Sequence, residues 1–250
     1  MLALLCTVAR AEVPPFYSLG PRPEHDILAA GALYFHAPLY AGAEQWQTVF
    51  VPSATAILVN GFFADPISGV GFNMSTDPRF EFGPRATLGL GREESAALHG
   101  LGKIHHSINV GAFANYNVTG RFQLQSALRV GSGYDHDGAL LDAGASYDVL
   151  QWEHASVTLD GSLSLANAAY MQSYYGISGA QVLASGFPEY HPHAGIQWHT
   201  VGLSVTAPVH PKALGYFSVE YVRLTGAAAD SPTVRKSDWI SIEANVSYGF

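Results

Sequence analysis

The chain has 250 residues, of which 48% are hydrophobic and only 13% are charged, and its formal net charge is −8. Soluble globular proteins carry about 25% charged residues, so much of this surface is predicted not to face water. The sequence has no run of the roughly 18 apolar residues that a membrane-spanning helix requires. The acidic balance also argues against nucleic acid as a partner, because nucleic-acid-binding surfaces are basic.

The first eleven residues have the pattern of an export signal. Residues 2–9 are apolar, and the tripeptide Ala-Arg-Ala at 9–11 matches the small-x-small pattern of a cleavage site. A buried N-terminal strand or helix is the alternative. We predict a signal peptide at residues 1–11. Cys6, the one cysteine of the sequence, lies in this segment, so the mature chain is expected to form no disulfide.

Two further units are predicted after the signal. Residues 12–26 contain four prolines and are predicted to form a periplasmic N-terminal segment. Residues 27–250 are predicted to form one all-β domain, because apolar and polar residues alternate with a period of two over most of this range.

This alternation identifies the strands, because successive side chains of a strand point to opposite faces. In residues 104–118 the even positions are mostly apolar, as at Ile108 and Val110, and the odd positions mostly polar, as at Asn109. A slip of phase predicts a bulge near residues 199–200. The other strand candidates are 28–36, 47–59, 61–74, 79–90, 121–130, 139–149, 156–165, 194–207, 213–224 and 240–250.

Strand length favours a membrane barrel over a soluble sheet. The clearest segments have about 10 to 12 residues, whereas strands of soluble sheets average about 5–6 and tilted membrane strands need about 9–11. Their polar face carries Ser, Asn, Gln, Gly and Asp, which is typical of a barrel interior. We predict an antiparallel transmembrane β-barrel of 10–12 strands, with a soluble β-sandwich or lipocalin-like fold as the alternative.

The C-terminal strand supports the same prediction. Six apolar residues from Ile240 to Phe250 share one face, and the chain ends on an aromatic residue. Such an end resembles the signal that outer-membrane barrels present to their insertion machinery, and we assign that role to Tyr248 and Phe250. With an even strand count both termini face the periplasm. The segments predicted to lie outside are then 91–103, 132–138, 166–190 and 225–236.

Three loop motifs occur in order along the chain. They are GREESAALHGLG at 91–102, AYMQSYYGISGAQVLASGFPEY at 169–190 and RLTGAAADSP at 223–232, followed by a terminal SYGF. Together they resemble the MipA/OmpV family of outer-membrane proteins (MltA-interacting protein-like). The residues that carry the resemblance in the external loops are Tyr174, Tyr175, Gly176, Ser178, Asp230, Ser231 and Pro232.

The resemblance implies a barrel in the outer membrane of a Gram-negative bacterium, in contact with lipid and with the barrel insertion machinery. It also implies a scaffolding role, because the founding member is described as a partner of a murein-degrading lytic transglycosylase and a penicillin-binding protein. Other relatives are linked to adhesion, antibiotic response or osmotic adaptation. The family defines no catalytic residues, so none is transferred to this chain.

Few residues of the sequence form a pattern that carries chemistry. His191 and His193 are two apart, but no HExxH or paired-cysteine motif accompanies them, and zinc needs three or four converging ligands. The loop at 135–137 (Asp-His-Asp) is either a cation-binding loop or a solvated turn. No GxSxG motif is present. We therefore predict no metal, no cofactor, no catalytic residue and no enzymatic activity.

Several charged residues are predicted to face the lumen, where they either line a pore or form ion pairs that fill a narrow barrel. These residues are Arg85, Arg121, Arg129, Asp142, Asp160, Glu220 and Glu243.

The function predicted from the sequence is that of a structural or adapter barrel, and the resemblance implies that it scaffolds murein-remodelling enzymes at the envelope. Two alternatives remain open. One is a narrow channel for small solutes, and the other is an adhesin or receptor that acts through the loops at 91–103 and 166–190.

Overall fold

A computed structural model describes residue 20 and residues 22–250 of the protein. In this part of the chain, twelve antiparallel strands form a closed barrel, in which each strand pairs with its neighbours in sequence and the first pairs with the last. The predicted fold and the upper end of the predicted strand count are confirmed. The strands are β1 (Ile27–Pro38), β2 (Trp46–Ile57), β3 (Phe62–Asp65), β4 (Gly69–Phe72), β5 (Phe80–Gly89), β6 (Ser107–Thr119), β7 (Phe122–Ser132), β8 (Gly138–Gln151), β9 (Ser156–Ala166), β10 (Gly195–His210), β11 (Ala213–Leu224) and β12 (Asp238–Gly249).

The two faces of the barrel wall differ as the alternation predicts. Large apolar side chains point outward and are exposed, as in Phe50 (73% exposed) and Ile108 (68%). The inward positions between them are mostly small or polar, and many are buried, as are Asn109 and Ser53. Because such an apolar band is unfavourable in water but matches the hydrocarbon core of a bilayer, the wall has the character of a membrane-spanning barrel.

The prediction of a single strand at 61–74 is wrong. The chain forms two four-residue strands here, β3 and β4, with a tight turn between them. The carboxylate of Asp65 causes the turn, because it accepts hydrogen bonds from the backbone amides of Ile67 (2.9 Å) and Ser68 (3.0 Å). Gly69 follows with a φ of 80°, which favours glycine.

The short hairpin leaves part of one strand edge without a strand partner. β2 pairs with β1 along its whole length, but it pairs with β3 only at Ala56 and Ile57. Within the described part of the chain, residues 46–55 of β2 therefore have no strand partner on the β3 side. We call this edge the β2 seam.

Two other local predictions need correction. The strand predicted at 104–118 begins at Ser107, because Ile104 instead forms an isolated bridge with Arg92 and is 1% exposed. The bulge predicted at 199–200 lies between Ile196 and Trp198. It places the consecutive side chains of Gln197 and Trp198 in the interior, where both are buried.

The barrel has two unlike ends. At the end that holds residue 27 and the C-terminus, which we call the terminal end, neighbouring strands are joined by short turns such as 120–121 and 211–212. At the opposite end, the loop end, the connections include 90–106, 167–194 and 225–237. The four segments predicted to lie outside, 91–103, 132–138, 166–190 and 225–236, all contribute to connections at the loop end.

The predicted signal peptide at 1–11 lies outside the described residues, as does most of the predicted segment at 12–26. The described part of that segment lies at the terminal end. The guanidinium of Arg22 donates a hydrogen bond to the carbonyl oxygen of Asn73 (2.7 Å), and the carboxylate of Asp26 accepts one from the amide of Val59 (2.9 Å). No helix among the described residues is both long and apolar enough to cross a membrane.

Candidate functional site

The loops of the loop end fold into a cap. Its described part contains three short α-helices, α1 (Ala168–Tyr175), α2 (Gly179–Ser185) and α3 (Gly226–Ala229), and a 3-10 helix at Ala96–Leu98. Local sequence signals set the helix ends. The side chain of Asn167 accepts a hydrogen bond from the amide of Tyr170 and so caps α1. Ser178 and Gln181 form a capping box at the start of α2, and Gly186 ends that helix in the left-handed conformation.

Two apolar clusters stabilise the cap, one against the barrel wall and one among the loops themselves. The first joins α1 and α3 to the upper barrel wall, and its largest members are 3% exposed or less. The second joins the loops at 39–45 and 90–106 to Ile177. The aromatic residues of the first cluster are Tyr170, Tyr175, Trp198 and Trp239. The other principal members of the second cluster are Tyr40, Leu98 and Leu101.

Arg92 is the polar centre of the cap. Its side chain is 4% exposed and donates hydrogen bonds to the carbonyl oxygen of Tyr174 (2.6 Å) and to the hydroxyl of Tyr134 (3.1 Å). The Tyr134 hydroxyl in turn donates to the carbonyl oxygen of Leu101 (2.7 Å). Arg92 thus connects three cap segments, residues 90–106, 133–137 and 167–194.

Further hydrogen bonds join α3 and the residues after it to the other loops. The Ser231 hydroxyl donates to the carbonyl oxygen of Tyr175 (2.6 Å), and the Tyr190 hydroxyl donates to that of Ala227 (2.8 Å). Partial burial, and then the nearby Asp230 carboxylate, raises the pKa of Tyr190. Burial likewise raises the pKa of Tyr40. The Tyr40 hydroxyl donates a hydrogen bond to the carbonyl oxygen of Thr233 (3.3 Å). Both pKa shifts favour the neutral phenols, which donate these bonds.

The cap leaves little free space across the loop end. The void between the loops and the barrel is about 20 Å³, and Arg92, Tyr174 and Trp198 are among its lining residues. A void of this size holds about one water molecule. Because the buried side chains of both clusters pack around this void, we interpret the described part of the loop end as closed to solutes larger than water.

A much larger cavity of about 650 Å³ fills the lumen below the cap. It extends from Phe35 and Glu220 in the upper half of the wall to the terminal-end turn at Gly120 and Arg121. Most of its lining side chains are hydroxyls, amides and carboxylates. Because the lining reaches the turn residues, we describe the lumen as a chamber that opens toward the terminal end.

The structure places six of the seven predicted lumen charges on inward positions of strands and Arg121 in a turn at the chamber's mouth. Arg129 and Asp142 form a buried ion pair, with 2.9 Å between Nε and the carboxylate and side-chain exposures of 6% and 0%. Asp160, Glu220 and Glu243 line the chamber. The sequence left two alternatives open for these charges. The ion-pair alternative applies to Arg129 and Asp142, and the charged-lumen alternative applies to Asp160, Glu220 and Glu243.

The family-like loop residues all lie in the cap. Tyr174 stacks on Tyr170 with 4.3 Å between ring centroids, Tyr175 is 2% exposed, and Ser178 belongs to the capping box of α2. Gly176 ends α1, and Asp230 ends α3. Pro232 follows Ser231 in the same loop. These residues build the cap, and their functional role stays a prediction.

The predicted insertion signal lies at the terminal end, where the Tyr248 and Phe250 rings contact each other with centroids 5.8 Å apart. Phe250 is 81% exposed, which leaves its ring accessible, and its role as a signal stays a prediction. Among the described residues no three His, Cys, Asp or Glu side chains lie close enough to hold a metal ion. His191 contacts Gln172 and Glu189 at 3.2 Å.

The sequence did not identify Arg92, Tyr134 or Gln197 as important. Gln197 is fully buried, where it donates to the Ser164 hydroxyl (3.0 Å) and accepts from that of Tyr175 (3.3 Å). In the sequence, Gln197 looks like any other glutamine at an inward-facing position, because its partners are set by the fold. Arg92 lies in a motif that carries the family resemblance, and that motif was the one available signal.

A protein family and several solved structures are similar to this chain. A family profile described as "MltA-interacting protein MipA" matches residues 28–250. A search of curated proteins found no match. Among solved structures, 72 chains match. An outer-membrane channel from Pseudomonas putida F1 has 9% identity and a TM-score of 0.49, with 94% of this chain and 99% of that chain covered.

Two other matched structures are similar to this chain at the same level. A FadL homologue from Pseudomonas aeruginosa has 11% identity and a TM-score of 0.45, and the match covers 97% of this chain and 95% of that one. The KdgM porin has 10% identity and a TM-score of 0.43, with coverages of 90% and 99%.

Proposed function

The chain belongs to the MipA family, and from that premise we propose that it is an outer-membrane anchor that holds a periplasmic partner at the envelope. The observation that carries the proposal is the closed cap, because a barrel sealed at one end by two buried apolar clusters is poorly suited to free diffusion of solutes. The family description names an interaction with MltA. We propose a lytic transglycosylase of that kind as the partner, with a penicillin-binding protein as a second member of the assembly.

The terminal end is the proposed periplasmic face. Its turns are short, so the N-terminal segment is the largest element available there to a partner. Arg22 and Asp26 hold the described part of that segment against Asn73 and Val59 at the rim of the barrel. The described end of that segment is therefore fixed at the rim of the proposed periplasmic face.

Partner capture by the folded barrel tests the proposal. A variant lacking residues 12–19 retains the Arg22 and Asp26 contacts, so the rim of the barrel stays intact. We expect wild-type protein to capture a purified lytic transglycosylase and the variant to lose capture. A control in which Gly-Ser repeats of equal length replace 12–19 separates sequence from length. Capture by neither protein would refute the anchor function. Equal capture by both would indicate that the partner docks on the turns of the terminal end.

The lumen chamber favours a second candidate, a narrow solute channel. Its volume of about 650 Å³ and polar lining suit small solutes, but passage requires the cap to open. Planar-bilayer recordings separate the two functions. The anchor predicts no stable unit conductance from wild-type protein, whereas reproducible conductance steps would favour the channel.

A further inference from the structure

The outer wall of the barrel carries one basic side chain within its described strands. This side chain is that of Arg223 on β11, which is exposed, whereas Arg85 and Arg129 point inward and are buried. The apolar residues Val219 and Tyr221 precede Arg223 on the same outer face. Because a charge is costly within hydrocarbon, a guanidinium at the end of an apolar row indicates the level at which the hydrocarbon ends and the lipid headgroups begin.

The spacing of two cations along β11 agrees with the thickness of a membrane. Lys212 precedes β11 at the terminal end, and its ammonium group lies over the Tyr248 ring, 6.0 Å from the ring centroid. Arg223 follows eleven residues later, at the loop end. A rise of about 3.3 Å per residue and a strand tilt of about 35–45° separate the two cations by roughly 26–30 Å along the barrel axis, close to the apolar band of about 25 Å in membrane barrels. Arg223 therefore lies at the level of the headgroups at the loop end.

Two further hydrogen-bond donors flank Arg223. His199 on β10 lies directly opposite Arg223 in the ladder and is exposed, so its imidazole can present an N–H group at the same level. Lys236 is exposed two residues before Asp238, which is the partner of Arg223 in the β11–β12 ladder. The backbone amide of Lys236 donates to the carbonyl oxygen of Gly42 (3.1 Å), and this bond fixes the turn that carries the ammonium group. We call Arg223, His199 and Lys236 the rim donors.

The described part of the chain supplies no counter-charge to the two cations among the rim donors. Arg223 and Lys236 form no ion pair with a described carboxylate, although Asp238 lies opposite Arg223 in the ladder. Lys103 differs, because its ammonium group lies 2.6 Å from the carboxylate of Glu93 in the cap. Guanidinium and ammonium groups both bind phosphate oxygens well. At the level of the headgroups, the phosphate of a membrane lipid is an anion within their reach.

We propose that the rim donors bind a phosphate group of a glycolipid in the leaflet at the loop end. The guanidinium of Arg223 can hold two phosphate oxygens at once, and His199 and Lys236 can donate to the others. The apolar face at Val219 and Tyr221 then contacts the acyl chains of the same lipid. With the loop end outside, as in the proposed function, the adjacent leaflet is the glycolipid-rich outer leaflet of the outer membrane.

Native mass spectrometry of the folded barrel in detergent tests the proposal, with lipid A as the probe. We expect saturable binding of lipid A, and roughly fivefold or weaker binding of the same glycolipid after its phosphates are removed. The double variant Arg223→Gln/Lys236→Gln should lose roughly tenfold or more in affinity for lipid A. The matched control Arg79→Gln/Lys212→Gln removes two cations from the terminal end and should bind as wild type does.

A third variant should change the affinity in the opposite direction. Asp238→Asn removes the carboxylate opposite Arg223, so lipid A should bind more tightly, which a folding defect would not produce. This variant decides the question if the double variant fails to fold, as judged by heat-modifiable gel mobility. An unchanged or lower affinity in Asp238→Asn would count against the rim donors.

Four other results would overturn the proposal. They are equal binding of the phosphate-free glycolipid, equal loss in the rim and control variants, tighter binding of phosphatidylglycerol, and displacement of lipid A by inorganic phosphate at the same concentration. Labelling of Leu183→Cys in intact cells reports the orientation of the loop end, and partner capture reports the anchor function. Failure of either is therefore distinguishable from failure of the lipid site.

Discussion

Replacement of Arg92 by methionine is predicted to loosen the cap. The variant removes a buried guanidinium that bonds to Tyr174 and Tyr134 but keeps a side chain of similar length. A hydrogen bond from a charged donor contributes about 1.5–3 kcal/mol, so losing both weakens the closed state by about 3 kcal/mol at the lower bound. A change of this size raises the ratio of open to closed cap by ~100-fold.

Planar-bilayer recording measures this ratio directly. Wild-type protein should conduct too rarely for open events to be counted, whereas Arg92→Met should show discrete openings. The matched control is Arg235→Met, which removes a cap cation that is exposed and stacks on Phe187 at 5.5 Å. It should behave as wild type. If folded Arg92→Met stays silent, these hydrogen bonds do not hold the cap, and if wild type conducts freely, the cap is not closed.

Three other perturbations test separate parts of the structure. Asp142→Ala removes the carboxylate that pairs with the buried Arg129 charge and should lower the free energy of unfolding in urea by about 3–5 kcal/mol. The double variant Arg129→Met/Asp142→Leu should lower that free energy much less. Equal decreases in the two variants would refute the role of the ion pair. The raised pKa values of Tyr40 and Tyr190 mean that their contribution to cap stability is complete below about pH 10 and is lost as pH rises through the shifted values. Openings in bilayers should therefore increase only in that alkaline range, and Tyr190→Phe should reduce the increase. In hydrogen exchange, the amides of the β2 seam that point away from β1 should exchange faster than those of β10, and uniform protection would show that another element covers the seam.

Much of the barrel was predictable because its constraint is repeated at every strand. Alternation of side chains over 10 or more residues gave the strands around Val110, Leu141 and Leu159, all of which face outward. The lengths of the connections then distinguished the two ends of the barrel. The prediction failed at 61–74, where a single side chain, Asp65, organises a turn inside an otherwise alternating segment.

The cap was not predictable from periodicity. Its three α-helices have eight, seven and four residues. The hydrophobic pattern of each helix is therefore too short to identify a buried face. Trp198 and Trp239 illustrate the problem, because tryptophans of membrane proteins are enriched at the membrane interfaces, whereas these two are buried beneath the cap. Trp46 and Trp152, at 41% and 58% exposure, do lie at the barrel ends.

The lumen charges were predictable as a set, but their partners were not. Inward positions follow from strand phase, which identified Asp142 and Asp160 equally. Which of them meets a guanidinium depends on register between strands. In the β7–β8 register Asp142 lies opposite Ala127, so its carboxylate reaches the Arg129 guanidinium diagonally, whereas Asp160 lies beside Gly202.

The barrel is closed at its loop end and open at its terminal end, and sided thiol labelling tests this arrangement most directly. A cysteine at Ser218 lies in the chamber, and one at Leu183, 91% exposed, lies on the cap. With a charged maleimide that does not cross membranes, intact cells should label Leu183→Cys but not Ser218→Cys. Permeabilised cells should label both. Labelling of Ser218→Cys in intact cells would contradict the closed cap, and failure to label it in permeabilised cells would contradict the open terminal end.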